Sequence, residues 1–216
     1  RSSDLPPIWA LGVTLIWLAG STVLLGSTLV ALRRLRSLRA SGLPLRELIP
    51  QLTTLAERLG LRRRVAIGES PWVATPMVLG VLRPMVLLPI GLVTGLEPVH
   101  LQAVLAHELA HVRRHDLLLG ALQRAVEIVF FFHPVVWWIS AEARISREQA
   151  CDDVAVQATG CALTYARALT EVAALPPPPA LAHLAHPAAG AHQGTLMSRI
   201  RRIIDQPAHP TRPPLA

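Results

Sequence analysis

From Leu5 to Leu32 the chain carries no charged side chain, and roughly 20 apolar residues of helix are enough to cross the 30 Å hydrocarbon core of a bilayer. Arginines follow this run at Arg33, Arg34, Arg36 and Arg39. A signal peptide places its basic residues before the apolar stretch, so the order predicts a membrane helix with its basic end in the cytoplasm. Ser41-Gly42-Leu43-Pro44 then breaks the pattern. Leu48, Leu52, Leu55 and Leu59 recur at helical spacing, predicting an amphipathic helix over 45–59 with Gly60 as its stop. Short β-like pieces follow at 64–67, 72–74, 77–81 and 85–88, punctuated by Pro71, Pro76, Pro84 and Pro89. Proline is confined to strand ends and edges, which predicts a small irregular sheet with an accessible edge.

A third helix is expected to start near Glu97-Pro98 and run to about His115, with proline suited to its first turn. Leu117 to Ile139 is long enough to span a bilayer, yet it holds Arg124 and Glu127, which are expensive in lipid, and Pro134 interrupts it. The expected solution is a helical hairpin, its tip near Phe132-His133-Pro134 and its second arm from Val135 to about Ala158, lying against the membrane or on the first helix. Another helix is expected from Leu163 to Leu175, then a stiff linker over Pro176 to Pro179. The Ala- and His-rich stretch from Leu181 to Gly194 offers little to build a core. Leu196, Ile200, Ile203 and Ile204 share one face of a short helix with Arg199, Arg201 and Arg202 opposite, a pattern suited to a membrane surface or a partner's groove. Residues 207–216 are expected to be disordered.

Composition supports a membrane protein: 51% of residues are hydrophobic, 16% are charged, and the net charge is +7. All basic side chains are arginine, a bias that goes with a GC-rich bacterial genome. The arginines cluster without interleaved aromatics, so attraction to a membrane surface accounts for them better than nucleic acid, and no direct nucleic-acid binding is expected. Cys151 and Cys161 form no disulfide framework and read as small apolar helix residues in a reducing compartment. With Arg1 and not a methionine at its start, the chain is expected to be a piece of something longer.

Chemistry enters with His107-Glu108-Leu109-Ala110-His111. Positions i and i+4 share a helix face, so both imidazoles can reach one zinc ion, and Glu108 stands where a general base for an activated water belongs. Catalytic zinc takes three protein ligands. Glu148 and Asp152, again i and i+4, can divide the remaining work: one carboxylate binds the ion while the other accepts the N–H of a ligand imidazole. Asp153 points about 100° away from that face. Candidates for stabilising an oxyanion are His115, Tyr165 and Arg147. Extended peptides pair with sheet edges, and Trp72, Val73, Ala74 and Thr75 are the expected edge.

Three segments, His-Glu-Leu-Ala-His-Val-Arg-Arg-His-Asp (107–116), Phe-His-Pro-Val-Val-Trp-Trp (132–138) and Arg-Glu-Gln-Ala-Cys-Asp-Asp (147–153), resemble the BlaR/MecR-type integral-membrane metallopeptidases. Residues 76–89 are similar to the strand region of that family. The resemblance implies a gluzincin-like peptidase with His107, His111 and Glu148 as zinc ligands and Glu108 as base. It implies regulated proteolysis of the chain itself or of a cytoplasmic repressor. No sensor-like segment follows Arg202, so a beta-lactam role does not carry over; Arg201-Arg202 is a candidate self-cleavage site. A heat-shock or prenyl-protein type of zinc protease shares the same motifs, and a zinc-holding docking protein without turnover is the alternative of another class.

The expected fold class is therefore α+β, mainly α. Residues 1–40 form the transmembrane helix and basic flank, 41–175 a zinc metallopeptidase domain that includes the hairpin at 117–158, and 176–216 a linker and basic tail. The expected location is the bacterial inner membrane with the active site facing the cytoplasm; the expected partners are lipid and a protein or peptide substrate.

Overall fold

A computed structural model describes residues 8–176 and 189–205. The tail over 207–216, all but the first residue of the Pro176–Pro179 linker, and the first half of the Ala/His-rich stretch lie outside the described residues. Most of the described chain is helical, with one small mixed sheet.

Helix α1 (Ile8–Ala40) continues eight residues past the uncharged run. At 1.5 Å per residue it is about 50 Å long, more than the hydrocarbon thickness. Its apolar side chains are largely bare, with Trp9, Ile16 and Val23 each at least 70% exposed. It is a helix long and apolar enough to cross a membrane.

Strand β1 (Leu43–Pro44) pairs antiparallel with β2 (Ala66–Ser70); β2 runs parallel to β4 (Met85–Pro89), and β3 (Met77–Leu79) pairs antiparallel with β4. Central β4 is buried along its length, and Val86, Leu87 and Leu88 are fully covered. Leu43–Pro44, expected only as a helix break, is an edge strand. Trp72–Ala74, expected as a strand, is instead a turn between β2 and β3. The prolines on both sides remove ladder donors, the Trp72 N–H is taken by Ser70 Oγ at 3.3 Å, and only Val73 is buried. The expected substrate edge at Trp72, Val73, Ala74 and Thr75 is thus not a strand; the free edge beside it is β3.

A single 3₁₀ turn (Arg46–Leu48) leads into α2 (Ile49–Arg58), with Pro50 in the first turn and Leu52 and Leu55 in the core. After the one-turn α3 (Leu92–Gly95), α4 (Pro98–Arg113) runs through the centre, buried on most sides from Leu101 to Ala110. It stops short of His115, which adopts a left-handed backbone (φ 58°) and caps the next helix. Helices α5 (Asp116–Val129) and α6 (Pro134–Thr159) form a hairpin with its turn at 130–133. Gly160, at φ 69°, ends α6, and α7 (Ala162–Ala174) follows.

The hairpin tip rests on α1. Trp17 Nε1 donates to Val129 O at 2.8 Å and Ser21 Oγ to Ile128 O at 3.2 Å, satisfying carbonyls that the end of α5 leaves unpaired. Phe131 lies against Gly20, where a Cβ would collide with its ring. The two charges of the first arm are paired: the buried Glu127 carboxylate accepts from Arg124 and Arg144, both at 3.2 Å, and from Gln123 at 3.0 Å.

Helix α8 (Ala189–Asp205) contains the short amphipathic helix expected to suit a membrane surface or a partner's groove. It packs on α6 and α7 of its own chain, with Ile203 buried. Arg202 donates to Gln149 O and to Asp153 Oδ1, both at 2.8 Å. The acidic face of α6 supplies the partner. Arg201-Arg202 therefore sits inside a helix and not in the extended form a peptidase cleaves.

Candidate metal centre

Helix α4 places His107 and His111 one turn apart, their ring centroids separated by 4.9 Å. The return arm α6 brings Glu148 to them: Oε2 lies 3.6 Å from His107 Nε2 and Oε1 3.7 Å from His111 Nε2. Ligands on a tetrahedral ion with bonds near 2.0–2.1 Å stand about 3.4 Å apart. One donor atom from each of the three residues lies within 4.8 Å of the other two.

The other ring nitrogens fix the tautomers. Tyr165, fully buried, donates its only proton to Asp152 Oδ1 at 2.7 Å. It must then accept from His107 Nδ1–H at 2.9 Å, with Asp152 Oδ1 3.3 Å from the same nitrogen. His111 Nδ1–H donates to Asp116 Oδ2 at 2.9 Å. With Nδ1 of each ring held by these partners, both imidazoles turn Nε2 toward Glu148, the arrangement seen when carboxylates orient metal-binding histidines.

Arg199, from α8, closes the cluster. Its Nε donates to Asp152 Oδ2 at 3.0 Å, a second nitrogen bonds Asp152 Oδ1, and NH1 lies 3.3 Å from Glu148 Oε2. Asp152 has no solvent exposure at all. Burial alone would raise its pKa, but His107 and Arg199 hold it well below the ordinary carboxylate range. Glu148 is lowered for related reasons: burial opposes its charge, and His107, Arg199 and His111 outweigh burial. Burial also disfavours a charged His107, yet Asp152, Glu148 and Glu108 push it up to about 9. The cluster concentrates negative charge where a cation would sit.

Glu108 is buried, and no protein hydrogen bond among the described residues engages its carboxylate. Burial raises its pKa and the Glu148 charge adds to that, while the two histidines pull it back. A carboxyl group so placed is suited to taking and returning a proton.

Tyr165 does not fit the oxyanion role considered for it, because its hydroxyl lies behind His107 and is committed to Asp152. Arg147 is turned away as well, donating to Gln123 Oε1 at 2.7 Å. His115 remains beside the centre, lining a small cavity with His111, Arg63 and Gly80. His100 bonds Glu171 at 2.7 Å and takes no part.

Asp116 and Arg199 escaped the sequence reading. Asp116 ends the same ten-residue segment as the histidines, which is a usable signal, but its contact depends on the left-handed turn at His115. Nothing in the spacing points to Arg199. Cys151 is buried, with its thiol 3.4 Å from Asp116 Oδ2 and 3.3 Å from His111 Nδ1. Burial and the Asp116 charge push its pKa up, so in the absence of an ion it stays a thiol.

Residues 5–203 match the family described as BlaR1 peptidase M56. The chain is 30% identical over 139 residues to Regulatory protein BlaR1 of Bacillus licheniformis, covering 63% of this chain and 23% of that protein. It is 26% identical over 141 residues to the Methicillin resistance mecR1 proteins of Staphylococcus aureus and Staphylococcus epidermidis, covering 65% of this chain and 24% of each. The chain thus spans about a quarter of the length of these relatives. With the match extending over nearly all of its residues, the chain belongs to the BlaR1 peptidase M56 family.

Proposed function

We infer that this chain carries the catalytic core of a membrane-bound zinc endopeptidase that works in regulated proteolysis. One observation carries the reading: two Nε2 atoms and one carboxylate converge while Asp116, Asp152 and Tyr165 hold the opposite ring nitrogens. His107, His111 and Glu148 would hold the ion in a gluzincin-like site within a peptidase domain over 41–175. When bound, zinc supplies Lewis acidity and makes water a competent nucleophile near neutral pH. Glu108 takes the proton of the attacking water and delivers it to the leaving amine. Asp152 and Asp116 keep the imidazoles oriented, and Arg199 keeps the Asp152 carboxylate charged and in place. The edge of β3 is the surface on which an extended peptide would lie.

The printed names of the relatives, a regulatory protein and methicillin-resistance proteins, favour a signalling role over bulk degradation. The substrate is then the chain itself or a cytoplasmic regulator such as a repressor. Arg33 to Arg39 orient the site toward the cytoplasm of a bacterial inner membrane.

The test uses the full chain in detergent micelles, wild type against Glu108→Gln. Both are expected to hold one zinc per chain by elemental analysis, and only wild type is expected to cleave itself or a peptide library. Cleavage surviving Glu108→Gln would sink the mechanism. Zinc binding with no cleavage by wild type would favour the docking alternative.

A further inference from the structure

The metal centre leaves one strongly charged feature unused. Arg39, Arg63, Arg64 and Arg83 line a single open cleft of about 490 Å³ at the basic end of α1. None of the four has an ion pair among the described residues, whereas Arg114, Arg124, Arg144, Arg199, Arg201 and Arg202 all do. Four like charges are gathered here with no carboxylate to offset them.

The cleft is built and not merely a surface coincidence. Arg63 donates to Val81 O at 3.0 Å and Leu82 O at 3.2 Å, fixing the β3–β4 turn. The Arg39 guanidinium lies over Gly80, which has φ +86° and no room for a Cβ. Leu82 lines the cleft and is 85% exposed.

The geometry points to a binding site for the phosphate of an anionic phospholipid headgroup. Arg39 lies seven residues beyond Leu32, about 10 Å further along the helix. The headgroup layer extends roughly 5–8 Å past the hydrocarbon edge, and an arginine side chain reaches back toward it along its apolar stem. The planar guanidinium matches phosphate oxygens in paired hydrogen bonds, and basic pockets at membrane helices select anionic lipids. The exposed Leu82 side chain offers an apolar contact that a lipid can use and an acidic peptide or free phosphate would not. A zwitterionic headgroup brings its own cation into the arginine field and is disfavoured. The cleft holds none of the proposed zinc ligands.

Native mass spectrometry of the full chain in neutral detergent tests this, with phosphatidylglycerol and phosphatidylcholine of identical acyl chains as probes. Retained phosphatidylglycerol is expected in clear excess. Arg64→Gln with Arg83→Gln, both exposed and outside the Arg63 hydrogen bonds, is expected to weaken it roughly 30-fold. Arg33→Gln with Arg34→Gln removes the same charge outside the cleft and is expected to retain binding. Equal retention of the two lipids would overturn the proposal, as would equal losses in the two double variants. Displacement by inorganic phosphate, or by a hexaglutamate peptide, at concentrations that leave the control's binding intact would assign the cleft to those ligands and overturn the lipid reading. A melting temperature for Arg64→Gln/Arg83→Gln equal to wild type excludes unfolding as the cause; if that pair fails to fold, Arg83→Gln alone is read the same way.

Discussion

At the residue scale, the two histidines owe their readiness to groups that never touch the ion. Asp116→Asn keeps the size of the side chain but removes the charge that His111 Nδ1–H faces. Zinc affinity is expected to drop about 10–100-fold, read by chelator competition, with the fold intact by circular dichroism; unchanged affinity would show that Asp116 does not orient His111. Arg199 has a different task, because Asp152 is charged and has no access to water. Removing one partner of a buried pair costs about 3–5 kcal/mol, so Arg199→Ala is expected to lower the melting temperature sharply. Asp152→Asn on that background should recover part of the loss, since it removes the stranded charge. If the double variant is no more stable than Arg199→Ala, the pair is not what stabilises this corner. These two residues also mark the limit of sequence reading. Helical spacing joins His107, Glu108 and His111 on α4 and Glu148 with Asp152 on α6, which is local geometry, and the returning hairpin brings the two sets together. Asp116 needs a backbone excursion at His115 that no residue type demands, and Arg199 meets Asp152 across 47 positions of chain.

At the element scale, the proline-broken hairpin was legible because Pro134 cannot sit inside a helix, and a returning arm follows from chain geometry. The turn at Trp72–Ala74 was misread because its β-prone residues sit between prolines that deny it a ladder. How the hairpin meets α1 was less legible, since the contact rests on glycine and aromatic shape. A leucine in place of Gly20 has to displace the Phe131 ring, and overpacking of this kind costs about 1–3 kcal/mol. Gly20→Leu is expected to lower the thermal midpoint in detergent. Gly12→Leu should leave it unchanged, because nothing lies within 4 Å of a Cβ there. Equal midpoints for the two variants would mean that the hairpin does not depend on α1.

At the scale of the whole molecule, the same contacts set the depth of the metal centre. Helix α5 runs antiparallel to α1, Val129 meeting Trp17 and Arg124 meeting Thr28 at 3.0 Å. Asp116 lies eight residues before Arg124, about 12 Å along the axis, which brings it level with the basic segment after Arg33. A second route gives the same level: Arg39 lies over Gly80, and Gly80 shares a cavity with His111. On the proposed reading, the hairpin tip, with Phe132 and Trp138 both more than 60% exposed, is expected to lie within the bilayer and the metal centre at its surface. That depth suits a protease whose substrate arrives from water or along the membrane face. It can be measured with single cysteines in a Cys161→Ser background, the buried Cys151 being left in place. Phe132→Cys should resist a water-soluble maleimide in membrane vesicles and react once detergent is added. Arg201→Cys, on the exposed side of α8, should react in inside-out vesicles and not in intact cells. Rapid labelling of Phe132→Cys in vesicles would put the tip in water, and labelling of Arg201→Cys in intact cells would place the metal centre on the outer side.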